Sequence, residues 1–266
     1  MSEFDPMISG NHVESDDIDM LFKHTVQNIN TPINFGKESV FILGDKQPYY
    51  LYELLKGRIM GDVKVLFFDL VGTLFDWRGS IVEQLGSYKK VDAVATEWVR
   101  YYATGSFKYG KDLSVFGYNL VQKYHLYDYV EMKFLETWTN LTPWPDVKPA
   151  FDSLRTKYKL VALTNLTTET VVELSKNSGI AFDFIYSAEL TGVKKPAPIV
   201  YQKACEILRV EPSETMLVAA HRFDLKAAKT EGMQTCYIER NDDSENYVAN
   251  FNLKIKSLTE LSNDFI

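Results

Sequence analysis

The chain has 266 residues, 45% of them apolar, and a formal net charge of −7 at pH 7. That is enough apolar mass for one large core, or for a core with an insert. Lys and Arg are not clustered, which disfavours a nucleic-acid partner, because neutralising phosphates requires clustered cations. No apolar run is long enough to cross a bilayer. The N-terminus is acidic and polar without a charged-then-apolar signal pattern, so a cytoplasmic protein is expected. Cys205 and Cys236 offer neither a disulfide framework nor metal-ligand spacing, and read as buried thiols in reducing surroundings.

The first 60 residues read as an N-terminal extension, largely irregular, with short helical pieces at Asp16–Val26 and Tyr49–Arg58. Met60-Gly61-Asp62 stands directly before the first strong strand, so the functional domain is expected to begin near Met60. Five short β-branched or aromatic runs follow: Val63–Phe68, Leu160–Thr164, Phe184–Ser187, Met216–Ala219 and Thr235–Glu239. Helical patterns separate the later ones, at Val147–Tyr158, Thr168–Ser178, Pro198–Leu208 and Leu225–Glu231. Near-continuous apolar strands between amphipathic helices predict an α/β fold, a doubly wound parallel sheet covered on both faces.

One interval breaks the rhythm. Between Asp76 and Pro145 the patterns are helical, at Ser80–Tyr88, Val91–Ala103, Lys111–Tyr124 and Tyr127–Thr137. This predicts a helical cap over 77–144, inserted into a core made of 61–76 and 145–266. Trp144-Pro145 marks the return to the sheet, since proline ends a helix and favours extended backbone before it.

The strongest chemical signal is the strand Val63–Phe68 running into Asp69-Leu-Val-Gly-Thr73-Leu-Phe-Asp76. In a parallel sheet the carboxyl ends of the strands are where ligands bind. A carboxylate followed by a Gly-Thr turn at that point is a candidate reactive group, although Asp is also common as a plain turn residue. Three further polar groups fall at the ends of the next three strands. They are Thr164-Asn165, Lys194-Lys195-Pro196 and Ala219-Ala220-His221-Arg222-Phe223-Asp224. Each has an ordinary structural explanation alone, such as a helix N-cap for Asp224. Their occurrence in sequence, one per strand, argues for a shared site.

That order resembles the haloacid dehalogenase superfamily, and in detail the type II L-2-haloacid dehalogenases. The resemblance runs from Val63 to about Arg240. It includes Asp76-Trp77-Arg78, Pro143-Trp144-Pro145-Asp146, Lys195-Pro196-x-Pro198-x-x-Tyr201 and Ala219-Ala220-His221-x-x-Asp224-Leu225. The resemblance implies that Asp69 is a nucleophile displacing halide from a small 2-haloacid through an aspartyl ester, with Thr73 holding its carboxylate. Lys195 would keep Asp69 ionised, and Asp224 would orient Lys195 and take part in hydrolysis. Thr164 and Asn165 would bond the substrate carboxylate or the loop, and Tyr201 would support the substrate side of the pocket. A cap arginine would bind the leaving halide or the substrate anion, with Arg100 the first candidate and Arg78 the second. His221 would either place the hydrolytic water or serve as a satisfied structural histidine.

The wider superfamily is mostly Mg²⁺-dependent phosphatases, which resemble one another in carrying a second Asp two residues after the nucleophile and a second acid in the last motif. Here those positions are Val71 and Ala220. The resemblance therefore implies no metal and no cofactor, with a small anionic substrate as partner; a homodimer is left open. A phosphatase or other small-carboxylate hydrolase, and a non-catalytic interaction protein retaining the fold, are the alternatives.

Overall fold

The computed structural model describes residues 33–35, 38–40, 63–85, 90, 92–97, 119–126, 136–240 and 251–265. The chain divides into one unit of residues 1–61 with 250–252 and a second of 62–249 with 253–266. In the first, β1 (Ile33–Phe35) and β2 (Glu38–Val40) form an antiparallel hairpin, where sequence reasoning expected irregular chain. The helical pieces expected at 16–26 and 49–58 lie outside the described residues.

The second unit is built on a parallel sheet. Its strands are β3 (Val65–Phe68), β6 (Lys159–Thr164), β7 (Phe184–Ser187), β8 (Thr215–Ala219), β9 (Gln234–Ile238) and β10 (Leu253–Ile255). They lie side by side in the order β10-β9-β8-β3-β6-β7, and every pairing is parallel. All residues of β3 and β8 are buried, as expected of central strands covered on both faces, whereas edge strand β10 alternates. β10 had no counterpart among the expected strands.

Two short strands, β4 (Phe75–Asp76) and β5 (Thr142–Pro143), pair antiparallel where the chain leaves the sheet and where it returns. The segment between them starts with helix α1 (Trp77–Leu85), and its described residues 92–97 and 119–124 are also helical. Ser80 fastens the two ends together. Its hydroxyl donates to the Asp76 carbonyl at 2.6 Å and accepts from the Thr142 amide at 2.8 Å.

The core helices are α2 (Val147–Leu154), α3 (Thr168–Ser178), α4 (Pro198–Leu208), α5 (Arg222–Thr230) and α6 (Leu258–Phe265). Their signals are local. In α2 the buried residues Val147, Ala150, Phe151 and Leu154 repeat at helical spacing, and Phe151 stacks 4.9 Å from Phe68 of β3. Helix α3 is capped by Thr167, whose hydroxyl accepts from Thr170 N, and ends at Gly179, whose φ of 70° suits a residue without Cβ. Helix α5 begins at Arg222, three residues before the expected start, because residues 222–224 are already helical above the β8 turn. α6 packs on α2, and α4 packs on α5.

The chain proceeds from β3 outward to β6 and β7, then crosses to β8 and continues away through β9 and β10. The order therefore reverses between β3 and β8, and crevices form at the carboxyl ends of strands at such a switch point.

Candidate active site

The loops at that switch point bring the predicted residues together. Asp69 follows β3 directly, and its amide donates to the Val218 carbonyl of β8 at 3.1 Å. The next residues form a tight turn in which the amides of Leu74 and Phe75 both donate to the Leu70 carbonyl, at 2.9 and 3.0 Å. Gly72 makes the turn with φ of 83°, and a Cβ there would lie 3.2 Å from the His221 ring. This turn points the Thr73 hydroxyl back at the nucleophile candidate. It donates to Asp69 Oδ2 at 2.7 Å and accepts from the Ala220 amide at 2.9 Å, bridging the β3 and β8 loops.

Lys195 approaches from the loop after β7. Its Nζ donates to Asp69 Oδ1 at 2.9 Å and also to Asp224 Oδ2. Tyr201, fully buried in α4, donates its hydroxyl to Asp224 Oδ1. The ammonium and both carboxylates are almost wholly removed from solvent, with 3%, 6% and 1% of their side chains exposed. Such a cluster is stable only if its charges are matched and bonded.

The three groups set one another's ionisation. Burial alone would raise the Asp69 carboxyl. The Lys195 ammonium, His221 and the hydrogen bonds from Lys195 and Thr73 outweigh it and hold Asp69 below the usual carboxylate value. Burial pushes Asp224 up, and the neighbouring Asp69 charge adds to this, so that it stays raised despite Lys195 and Tyr201. Burial would lower Lys195, but the two carboxylates more than compensate and keep it a cation. Burial and the Asp224 charge likewise push the Tyr201 phenol far up, so it remains a donor. Two similar acids thus differ in role: Asp69 is poised as an anion, and Asp224 takes a proton more readily.

Asn165 bonds the Lys195 peptide at both of its polar ends. Its Nδ2 donates to the Lys195 carbonyl at 3.2 Å and its Oδ1 accepts from the Lys195 amide at 2.8 Å. It acts on the loop that carries the ammonium, one of the two functions the resemblance implied. Thr164 is fully buried, and its hydroxyl oxygen accepts from the Leu166 amide at 3.1 Å. Tyr201 supports Asp224, whereas the expectation was a residue on the substrate side of the pocket. The hydroxyl lies within the buried cluster because α4 presents it inward.

His221 Nε2 lies 2.9 Å from the Val71 carbonyl and 3.5 Å from Asp69 Oδ2. A carbonyl can only accept, so Nε2 carries the proton in this arrangement. The ring stacks on Phe223 at 5.6 Å. Arg78 pairs with Asp92 at 2.8 Å on an exposed surface. Arg100, like most of the inserted segment, lies outside the described residues.

Sequence reasoning missed one buried group, Arg240 at the end of β9. Its Nε donates to the Thr73 carbonyl at 3.0 Å, and its Nη1 donates to both carboxylate oxygens of Asp146 at 3.1 Å. Nothing local in Ile238-Glu239-Arg240 announces this, because its partners are remote in sequence.

The donor set also bears on divalent metal binding. Mg²⁺ requires several oxygen ligands, usually anchored by carboxylates. Here Asp69 and Asp224 are both bonded to one ammonium, the second Asp224 oxygen is taken by Tyr201, and Val71 and Ala220 offer no side-chain oxygen. These residues do not fit a magnesium site.

Comparison with known proteins gives the family. A family model of haloacid dehalogenase-like hydrolases matches residues 63–232, well over half of the chain. Haloacetate dehalogenase H-2 of Moraxella sp. (strain B) is 30% identical over 112 residues, covering 41% of this chain but only half of that relative. (S)-2-haloacid dehalogenase 2 of Pseudomonas sp. (strain CBS-3) is 25% identical over 199 residues, covering 68% of this chain and 86% of the relative. A phosphoglycolate phosphatase of Aquifex aeolicus (strain VF5) is 29% identical over 182 residues, covering 65% and 83%. A crystal structure of an L-2-haloacid dehalogenase superposes with a TM-score of 0.69 at 28% identity, covering 76% of this chain and 97% of that one. Among the described residues no helix is long and apolar enough to cross a membrane.

Proposed function

The chain belongs to the haloacid dehalogenase-like hydrolases, and from that premise we propose that it is a metal-independent 2-haloacid dehalogenase with Asp69 as nucleophile. The observation that carries the reading is the Lys195 ammonium bonded to both Asp69 and Asp224 beside an apolar Val71. Asp69 is an ionised carboxylate with no general acid two residues away. Halide leaves without a proton, whereas an alkoxide leaving group needs one.

The chemistry runs in two steps. An Asp69 oxygen attacks C2 of the 2-haloacid from the face opposite the halogen. The carbon–oxygen bond forms, the carbon–halogen bond breaks, and halide departs with the electron pair. Water then adds to the Asp69 carboxyl carbon, the bond from that carbon to the ester oxygen breaks, and the departing oxygen takes up one of the water's two protons. The products are a 2-hydroxy acid of inverted configuration, halide and one proton, with Asp69 regenerated carrying one oxygen from water. Lys195 opposes the repulsion between nucleophile and anionic substrate, and Asp224 receives the proton of the attacking water. The segment between β4 and β5 serves as a cap that excludes bulk water, with Arg100 the candidate for the substrate or halide anion.

Halide release from L-2-chloropropionate should proceed equally with and without chelator. After turnover in ¹⁸O water, label should appear in the peptide containing Asp69. The phosphatase relative supplies the rival reading. Release of phosphate from p-nitrophenyl phosphate only with added Mg²⁺, and no halide release, would overturn the proposal in its favour.

A pH dependence follows from the two carboxyl groups. Asp224 is held above its ordinary value and Asp69 below it. As pH falls, Asp224 therefore takes up its proton first, and the proton acceptor for hydrolysis is lost. The acid limb of kcat should lie above the pH where an ordinary aspartate titrates, because hydrolysis follows the loss of halide and does not enter kcat/KM. In Asp224→Asn the residual activity should lose that limb and stay flat to lower pH. A limb unmoved by the substitution would assign it to another group.

A further inference from the structure

We infer that Arg240 is a positioning residue for the nucleophile, acting through Thr73 from behind the active site. The inference rests on the proposed role of Asp69. The Asp69 carboxylate is held in one orientation by the Thr73 hydroxyl at 2.7 Å. That hydroxyl can point correctly only if the Thr73 backbone is fixed, and the Thr73 carbonyl receives the Arg240 Nε–H at 3.0 Å.

Arg240 is itself held on two other sides. Its guanidinium lies 5.2 Å from the centre of the Trp144 ring, within cation–π range. Its Nη1 meets both oxygens of Asp146, and the side chains of this pair are 9% and 14% exposed. Asp146 in turn accepts from Leu258 N at 2.7 Å and Ser257 Oγ at 3.2 Å, which anchors it at the start of α6. The Trp144 amide donates to the Leu74 carbonyl at 2.9 Å, next to Thr73. The turn carrying the nucleophile, the point where the inserted segment returns and the C-terminal helix thus converge on one guanidinium. A planar fork can bond the Thr73 carbonyl and the Asp146 carboxylate at once, which a lysine ammonium on a single flexible stem cannot do in the same geometry. Small misplacements of a reacting group are costly in rate.

A double-mutant cycle tests this. The kcat and KM for halide release are measured for the wild type, Arg240→Met, Thr73→Val and the pair. Arg240→Met should lower kcat by roughly tenfold or more with KM nearly unchanged. In the Thr73→Val background, where no hydroxyl remains to aim, the same substitution should change kcat by less than about twofold. Arg240→Lys keeps the charge beside Asp146 and should fold, so it carries the test if the methionine variant does not; it too should lose kcat. A ¹³C titration of the Asp69 carboxyl provides a readout independent of turnover, and its pKa should rise in the Arg240 variants as the Thr73 bond is lost. Independent, multiplicative effects on kcat, or an Asp69 titration identical to wild type in a folded variant, would overturn the inference. A wild-type protein that releases no halide would overturn the dehalogenase reading, while the titration would still judge Arg240.

Discussion

Replacing Asp69 by Asn is expected to abolish halide release, by roughly ten-thousand-fold or more, while leaving the protein folded and only modestly less stable than the wild type. The two halves of that expectation have separate causes. Asparagine is close in shape to aspartate; its Oδ1 can still accept from Lys195 and its Nδ2–H can donate to the Thr73 hydroxyl oxygen, while the Thr73 hydroxyl proton loses its acceptor. The cluster of two carboxylates and one ammonium carries a net negative charge in near-complete burial; removing one carboxylate leaves the matched pair Lys195–Asp224. Stability should nevertheless fall modestly, because a carboxyl held below its ordinary value is one whose ionised form the fold favours over a neutral group. The rate has no such compensation, because a neutral amide cannot displace halide. Halide release and the thermal midpoint, measured on the same preparation, separate these effects. A variant keeping a tenth or more of wild-type turnover would remove Asp69 from the nucleophile's position. A variant that unfolds would show instead that the carboxylate is needed for the fold.

The parts of this site that could be read from the sequence are those in which chemistry and local pattern coincide. Asp69 ends an apolar strand and precedes a Gly-Thr turn. Lys195 lies in the loop that follows one strand and Asp224 in the first turn of the helix that follows another, so the switch-point geometry of a parallel sheet brings them together without knowledge of any contact. The long strands were visible because central parallel strands are apolar throughout. β10 was not, because three residues with one exposed lysine between two buried side chains give too short a pattern to distinguish from loop. The β1–β2 hairpin was hidden for the same reason, at three residues per strand in a polar stretch. Arg240 was invisible for a different reason. It acts across 167 residues on a backbone carbonyl, and any residue type supplies a carbonyl, so sequence carries no mark of the acceptor. Asn165 and Tyr201 were marked as polar groups near the site, but their bonds to Lys195 and Asp224 depend on side-chain direction, which periodicity does not fix.

The largest loss of stability is expected from Lys195→Met. Met matches the length of the lysine stem but removes the ammonium, so Asp69 and Asp224 are left side by side, buried, with Tyr201 and Thr73 as their remaining donors. Deleting one partner of a buried ion cluster costs about 3–5 kcal/mol, and halide release should vanish because the cation that does most to keep Asp69 ionised and to offset the substrate's charge is gone. The dependence on pH distinguishes this cause from simple packing loss. In the wild type Asp69 lies below its ordinary value, so its contribution to stability is present above the unfolded carboxylate pKa and lost as pH falls through the folded one. In the variant the sign reverses for Asp69 and keeps its direction for Asp224, which is raised already. Burial without the ammonium raises both carboxyl groups above their unfolded values, so the folded state is favoured when they are protonated. That contribution is present at low pH and lost as pH rises through the raised folded values. Between pH 8 and pH 5 only raised carboxyl groups titrate, two in the variant against Asp224 alone in the wild type, so acidification narrows the gap. Urea unfolding at pH 8 and at pH 5 should therefore give a large difference in midpoint at the higher pH and a distinctly smaller one at the lower. Adding Asp224→Asn to Lys195→Met should recover part of the stability at pH 8 and none of the activity, since it removes one unpaired carboxylate without restoring the cation. A Lys195→Met protein as stable as the wild type at both pH values would mean that the ammonium does not hold these two acids together, and the electrostatic account of the site would fail with it.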